Sequence, residues 1–218
     1  MTDSSSGIPI CDQKQTRRLI IQQALSIYKP EEMFLSFNGG KDCTVLLDLI
    51  HNALPKDAKG IKYIYVRPLN PFSEIEEFVE LCREHYGITI ATVNGGIKSA
   101  LEVICKEDKQ LKACIMGSRR SDPYCSLLEP FKETDPGWPQ LMRINPLLEW
   151  TCDDIWAYIR EHNVPYCTLY DRGYTSIGDK TNTVPNPHLK VDNNDEEATY
   201  LPAYALKEGD RYERAGRL

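Results

Sequence analysis

Four short apolar runs alternate with stretches of helical periodicity, and that alternation constrains the fold of this chain more than any other feature. The runs span 33–37, 61–66, 88–93 and 113–116, and two of them, IKYIYV and ITIATV, are dense in β-branched or aromatic residues. Between the first two, Val45, Leu46, Leu49 and Ile50 mark one face of a helix over 42–52. Further helices are expected over 73–86, where Ser73 and Glu76 have capping-box spacing, and over 97–106. Strands separated by helices of about ten to fifteen residues read as βαβ units. The expected fold is therefore α/β, an open and mostly parallel twisted sheet with helices on both faces. An earlier helix over 16–28 carries Leu19, Ile20, Ala24, Leu25 and Ile27 and is stopped by Pro30.

The second part of the chain reads differently. From 117 to 144 there is little periodicity, and beyond a helix capped by Thr151 and running to His162 the chain is rich in loops, punctuated by Pro165, Gly173, Gly178, Pro185, Pro187 and Pro202. The 218 residues suit a single domain, with 1–15 expected as a flexible N-terminus and 207–218 as a mobile, arginine-containing tail. The acidic run over 192–198 reads as a solvated loop. A net charge of −6 argues against a nucleic-acid coat, and no apolar stretch approaches the ~20 residues of a membrane span. The polar, acid-bearing N-terminus is unlike a signal or transit peptide, so a cytoplasmic location is expected. Eight scattered cysteines without a CxxC pair read as small buried residues in a reducing compartment.

Chemistry concentrates where the first run ends, in Ser36-Phe37-Asn38-Gly39-Gly40-Lys41-Asp42. Two glycines between a strand and a helix let a ligand approach the backbone and leave amides free at the positive end of the helix, which is an anion site. Lys41 adds a point charge. A carboxylate beside bound phosphate is repulsive unless a divalent cation lies between them, so Asp42 points to magnesium. The alternative is an acidic first-turn residue that answers only the helix dipole. The spacing is not that of a Walker A loop.

Three other places stand out. IMGSRRSDP, after the fourth run, offers the forked donors of Arg119 and Arg120 and a second carboxylate, Asp122; it reads as a phosphate and metal site or as a surface loop of mixed charge. In TDPGWP, Trp138 lies between prolines with Asp135 close by; it either stacks on a planar ligand ring or plugs the core under a loop. The tail carries Arg211, Arg214 and Arg217 at intervals of three, frayed in solvent or closing over phosphates.

Together these residues are familiar. The SFNGGKDC stretch resembles the PP-loop of the adenine-nucleotide α-hydrolase-like and phosphoadenosine-phosphosulfate reductase-like group. The larger set, IMGSRRSDPYC, TDPGWP, RINPLLEWTCDDIW, PYCTLYDRGYTSIG and the arginine tail, is similar to the eukaryotic FAD synthases, or FMN adenylyltransferases, from about residue 30 to the end. That resemblance implies a Mg²⁺-dependent transfer of AMP from ATP to FMN, giving FAD and pyrophosphate as the last step of FAD biosynthesis. It implies that the loop, from Ser36 and Phe37 through Asn38, Gly39, Gly40, Lys41 and Asp42, holds ATP phosphates and metal, with Asp122 completing the metal site. It implies further that Asp135 and Trp138 contact the flavin, that Arg214 and Arg217 reach the phosphates, and that the strand end Tyr65-Val66-Arg67 lies by the adenine. Asn38, Asp42, Asp122 and Arg214 are the expected catalytic residues, Arg119 and Arg120 further phosphate donors. The expected partners are ATP and FMN, without nucleic acid or membrane, and the expected state is a monomer or weak homo-oligomer. A phosphate monoester is already largely dianionic at neutral pH, its second pKa being near ~6, so the absence of an obvious catalytic histidine is no obstacle. The rival readings are a sulfonucleotide reductase, which needs a nucleophilic cysteine in the C-terminal segment, and a non-catalytic flavin or nucleotide sensor. The last cysteine is Cys167, and ERAGRL holds none.

Overall fold

The computed structural model describes residues 10–54, 60–191 and 198–218, with side chains from Leu19 onward. Most of the expected acidic loop and the first nine residues lie outside the described residues. Besides a short antiparallel pair over Lys190–Val191 and Thr199–Tyr200, the strands are β1 (Met33–Phe37), β2 (Lys62–Arg67), β3 (Ile90–Asn94), β4 (Ala113–Ile115), β5 (Phe131–Glu133) and β6 (Met142–Ile144), and these six make the main sheet. They form one sheet in the order β3-β2-β1-β4-β6-β5, parallel except for β5. The helices are α1 (Ile10–Ile27), α2 (Lys41–Ala53), α3 (Ser73–Tyr86), α4 (Ile97–Glu107), α5 (Cys152–His162) and the single turn α6 (Gly209–Tyr212).

Alternation along the strands decides which helix goes where. Met33, Leu35 and Phe37 of β1, with Tyr63, Tyr65, Ala113 and Ile115 beside them, face one side and pack against α1, α2, α3 and α5. Phe34, Ile64 and Cys114 face the other side and meet Ala100, Leu101 and Ile104 of α4. The central strands are thus buried on both faces, which is why they read as unbroken apolar runs.

Four expectations need correction. Residues 10–15, expected to be flexible, belong to α1. The 117–144 segment contains the antiparallel hairpin β5–β6; strands of three residues are too short to show alternation, and Lys132 and Glu133 of β5 are exposed. Ser73 does not cap α3: the N-cap position is Phe72, and the Ser73 hydroxyl turns to Glu74 instead. Thr151, by contrast, caps α5 as expected, its Oγ1 accepting the Asp154 N–H while Asp154 accepts the Thr151 N–H. The fourth correction is the tail, which is docked. Glu213 is buried, Val184 N–H donates to the Gly216 carbonyl, and Leu218 N–H donates to the Asn182 carbonyl. Side-chain hydrogen bonds replace regular structure here. Fully buried Asn186 donates through Nδ2 to Thr175 Oγ1 and to the Tyr212 carbonyl, both at 2.8 Å. Among the described residues, no helix is long and apolar enough to cross a membrane.

Candidate active site

The chain leaves β1 for β2 and β3 on one side and later returns to lay β4 on the other side of β1. Such a reversal opens a crevice at the carboxyl ends of the strands. Here it is a polar cleft of about 180 Å³. The loop after β1 contributes Asn38, Gly40, Lys41 and Asp42, and the loop after β4 contributes Gly117, Arg119 and Asp122. The C-terminal part closes the cleft with Tyr170, Glu213, Arg214 and Arg217.

The glycine loop has the geometry its sequence suggests. Gly39 takes φ +74°, a backbone conformation that strains any other L-residue, and Asn38 Oδ1 accepts the Gly40 N–H at 2.9 Å. The ladder of α2 opens with Thr44 N–H donating to Gly40 C=O, which leaves the amides of Asp42 and Cys43 in the open first turn. The Lys41 N–H is already engaged, donating to the Tyr170 hydroxyl at 2.8 Å.

Behind the loop lies a buried ionic cluster that the sequence did not reveal. Lys41 is 3% exposed and pairs with Glu213 at 2.8 Å and Asp42 at 3.0 Å. Arg119 is 1% exposed and donates to Asp42 at 2.6 Å, to Asp210 at 2.8 Å and to Glu213. Burial by itself would raise the Asp42 carboxyl, but Lys41 and Arg119 outweigh it and hold it below its ordinary value. Burial likewise works against the Lys41 ammonium, and Asp42 and Glu213 reverse the effect. Lys41 and Arg119 both line the cleft, as expected, but in this ligand-free structure each also pairs with carboxylates of the chain itself. Arg120, also expected at the phosphates, is placed elsewhere. It lies outside the cleft, bonded to Glu149 at 2.7 Å and to the carbonyls of Ser126 and Leu128, where it clamps the 121–128 loop.

The two other cations of the cleft are Arg214 and Arg217. Among the described residues, Arg214 has only Asp122 as a carboxylate partner, at 3.8 Å, and Arg217 has none within pairing distance. Burial and the neighbouring Arg214 both disfavour the Arg217 charge. Arg217 lies flat on Gly178, where any Cβ would overlap its guanidinium. Asp122 accepts the Arg119 N–H at 2.9 Å, and burial pushes its carboxyl up. Its other oxygen, Oδ1, is the one that faces Arg214.

The other predicted residues lie outside this cleft. Phe37 is part of the core, and Ser36 is half-buried in β1. The side chains of Tyr65 and Arg67 both donate to Glu76 at 2.7 Å, and Val66 packs on the second face of the sheet. Asp135 and Trp138 sit in the β5–β6 hairpin, where Trp138 N–H donates to the Asp135 carbonyl at 3.1 Å. The Trp138 ring is half-buried against the second-face cluster, with Lys98 Nζ 5.9 Å from its centroid. It thus has one face on protein and is not a fully enclosed core plug. The Asp135 side chain is 63% exposed and lies 3.9 Å from Arg143. Arg143 pairs in register with Cys114 on that same face, and its Nε is buried without a partner among the described residues.

The profile of the phosphoadenosine phosphosulfate reductase domain matches residues 32–185. A probable FAD synthase of Schizosaccharomyces pombe is 42% identical over 205 residues, covering 90% of this chain and 76% of that protein. The chain belongs to the FAD synthase family. A family member from Caenorhabditis elegans, also a probable FAD synthase, is 38% identical over 91% of this chain, which spans only 39% of that longer protein. The FMN adenylyltransferase of Candida glabrata, solved with FMN and the ATP analogue AMPCPP, matches with a TM-score of 0.85 at 26% identity, covering 100% of this chain and 93% of that one.

The thiols agree with FAD synthase membership. All seven described cysteines are free and pushed up by burial, Cys43, Cys82 and Cys152 to about 12 and Cys167 to about 11. None is poised as the thiolate a reductase needs. Sequence reading overlooked Tyr170 and Glu213 of the cleft, and Arg143 beside the hairpin. Tyr170 and Arg143 were inside quoted motifs, PYCTLYDRGYTSIG and RINPLLEW, and Glu213 stood between the tail arginines; a lone acid in a basic tail was the available signal.

Proposed function

We propose that the cleft holds the phosphates of ATP and FMN while this nucleotidyltransferase passes adenylyl from ATP to the FMN phosphate, releasing FAD and pyrophosphate. The observation that carries this reading is the pair Arg214 and Arg217, two guanidiniums facing one polar cleft with no firm partner. Two like charges held together are unfavourable until an anion sits between them, and a polyphosphate is an anion of that kind. The buried cluster of Lys41, Asp42, Arg119 and Glu213 fixes the loop and the tail in register. The attacking phosphate needs no base, so the protein's work is to bring two anions together in line and neutralise the charge that develops. In support, the amides of Asp42 and Cys43 lie in the open first turn of α2, and both residues line the cleft together with the two arginines.

Mg²⁺ belongs to the same reading. Among the described residues no group of three or more metal-ligating side chains exists, but Mg²⁺ is commonly held by one or two carboxylates with substrate phosphates. Asp42 and Asp122 fit that pattern, Asp122 the better because its Oδ1 has only a distant partner. When bound, the ion would neutralise phosphate charge. The two carboxylates then separate by mutation. Asp122→Asn should lower turnover about 100-fold or more without loss of stability, because the fold already disfavours its charge. Asp42→Asn should cost activity and stability together, because it strips Lys41 and Arg119 of a partner. Steady-state rates and melting curves of the two variants check this.

For the flavin ring, the reading assigns the hairpin. Asp135 would accept the ring imide N–H, Trp138 would stack on the ring, and Arg143 Nε is a donor awaiting an acceptor. Asp135→Ala should weaken FMN and FAD binding about tenfold, as for one hydrogen bond to a charged group, and leave affinity for an ATP analogue unchanged. Calorimetric titration decides; unchanged flavin affinity with damaged nucleotide affinity would sink the assignment. The same reading takes residues 1–218 as a single domain and the enzyme as cytoplasmic, a monomer or weak homo-oligomer, without nucleic acid, consistent with the net charge of −6. Formation of FAD from FMN, ATP and Mg²⁺, followed by the quenching of flavin fluorescence, tests the function as a whole.

A further inference from the structure

We propose that the Tyr170 hydroxyl donates its hydrogen to the pyrophosphate portion of ATP, a contact that rests on the adenylyl-transfer reading above. Tyr170 lies in the short helical turn Thr168–Arg172, and its side chain is 2% exposed. Its ring is held edge-on by Trp156 at 5.3 Å and by Tyr166 at 6.5 Å, so its orientation is fixed by packing. The hydroxyl oxygen accepts the first amide of α2, Lys41 N–H, at 2.8 Å. A phenol both accepts and donates. Here the accepting side is taken, while the hydrogen has no acceptor among the described residues and the hydroxyl borders the cleft.

A buried O–H left unsatisfied is costly, so something in the cleft completes it. An anion suits the position best. The Lys41 amide, at the positive end of α2, polarises the O–H that it donates to, and this carries the helix end one bond further into the cleft. The phenol keeps its hydrogen at neutral pH, since a free tyrosine loses it only near pH ~10. The chemistry says which part of ATP gains. A bond forms between an FMN phosphate oxygen and the α-phosphorus, the bond from that phosphorus to the bridging oxygen breaks, and the electron pair leaves on pyrophosphate. No proton need move; a donor aimed at the leaving group stabilises the charge that appears there. A glycine loop at a helix start is where such a group sits.

Tyr170→Phe keeps the ring and removes the hydroxyl. Its affinity for magnesium pyrophosphate should fall about tenfold, kcat with ATP should fall at least as much, and FMN affinity should be unchanged. A loss that only loosened packing would instead weaken both ligands alike and lower the melting temperature, and that outcome overturns the proposal. The second test places 3-fluorotyrosine at 170, a more acidic phenol that donates more strongly and accepts more weakly. Pyrophosphate should then bind as tightly as before or more tightly; weaker binding would mean that only the bond from Lys41 matters. Pyrophosphate affinity in Tyr170→Phe equal to that of the unmodified protein would overturn the proposal outright. Failure of the unmodified protein to form FAD would sink the transfer reading instead, and the two failures are separate measurements.

Discussion

Glu213→Ala should destabilise the protein by about 3–5 kcal/mol, the cost of breaking a buried ion pair from one side, and should abolish FAD synthesis. Glu213 is 2% exposed and answers two buried cations at once, Lys41 at 2.8 Å and Arg119. Without it Lys41 keeps only Asp42, and Arg119 keeps Asp42 and Asp210. The excess positive charge would lie in a site too buried for water to screen. Activity goes with stability because Glu213 precedes Arg214 directly, and its backbone carbonyl accepts the Thr175 hydroxyl at 2.6 Å. Losing its seat releases the arginines from the cleft. Glu213→Gln should be milder than Ala in stability, since the amide can still accept one hydrogen bond. Urea denaturation with the three proteins side by side measures the difference. For the same reason, deleting the segment after Glu208 should lower melting temperature as well as rate. A free tail would cost rate alone.

Arg217→Ala should do the opposite: a rate loss of about 10²–10³-fold, the size expected for one preorganised charge-stabilising donor, with melting temperature unchanged or slightly higher. The folded protein gains little from this guanidinium, which is partly desolvated, has no acidic partner among the described residues and is repelled by Arg214. A group that the fold tolerates at a cost, aimed into a cleft, is one whose benefit comes when ligand binds. Steady-state kinetics beside differential scanning calorimetry separates the two effects. A variant that lost stability and kept its rate would make Arg217 a structural residue.

The sheet was legible because its strands are buried on both faces and therefore apolar throughout, as in 33–37 and 113–116. The β5–β6 hairpin was not, because three residues cannot display a period of two and its turn residues resembled any loop. The glycine loop was legible for a local reason: Gly39 needs its positive φ whatever lies around it. The roles of Lys41 and Arg119 were not local. Their identity as cations was plain, but whether a cation meets ligand or protein depends on Glu213 and Asp210, more than ninety positions away from Arg119 in the chain. Arg214 and Arg217 show the converse, with tail residues that composition alone would leave in solvent brought to the cleft by Asn186, Thr175 and Gly178. Charge pattern named the participants, and only tertiary packing showed which of them pair with carboxylates of the chain and which do not.

The most direct measurement follows the α-phosphorus. The protein is mixed with FMN, Mg²⁺ and ATP labelled at the α-phosphate, and the label is located after chromatography. The account predicts label in FAD and none in the pyrophosphate released in equal amount, with Arg217→Ala giving the same products far more slowly. Label that stayed in ATP or AMP with no FAD formed, or unimpaired turnover by Arg217→Ala, would contradict it.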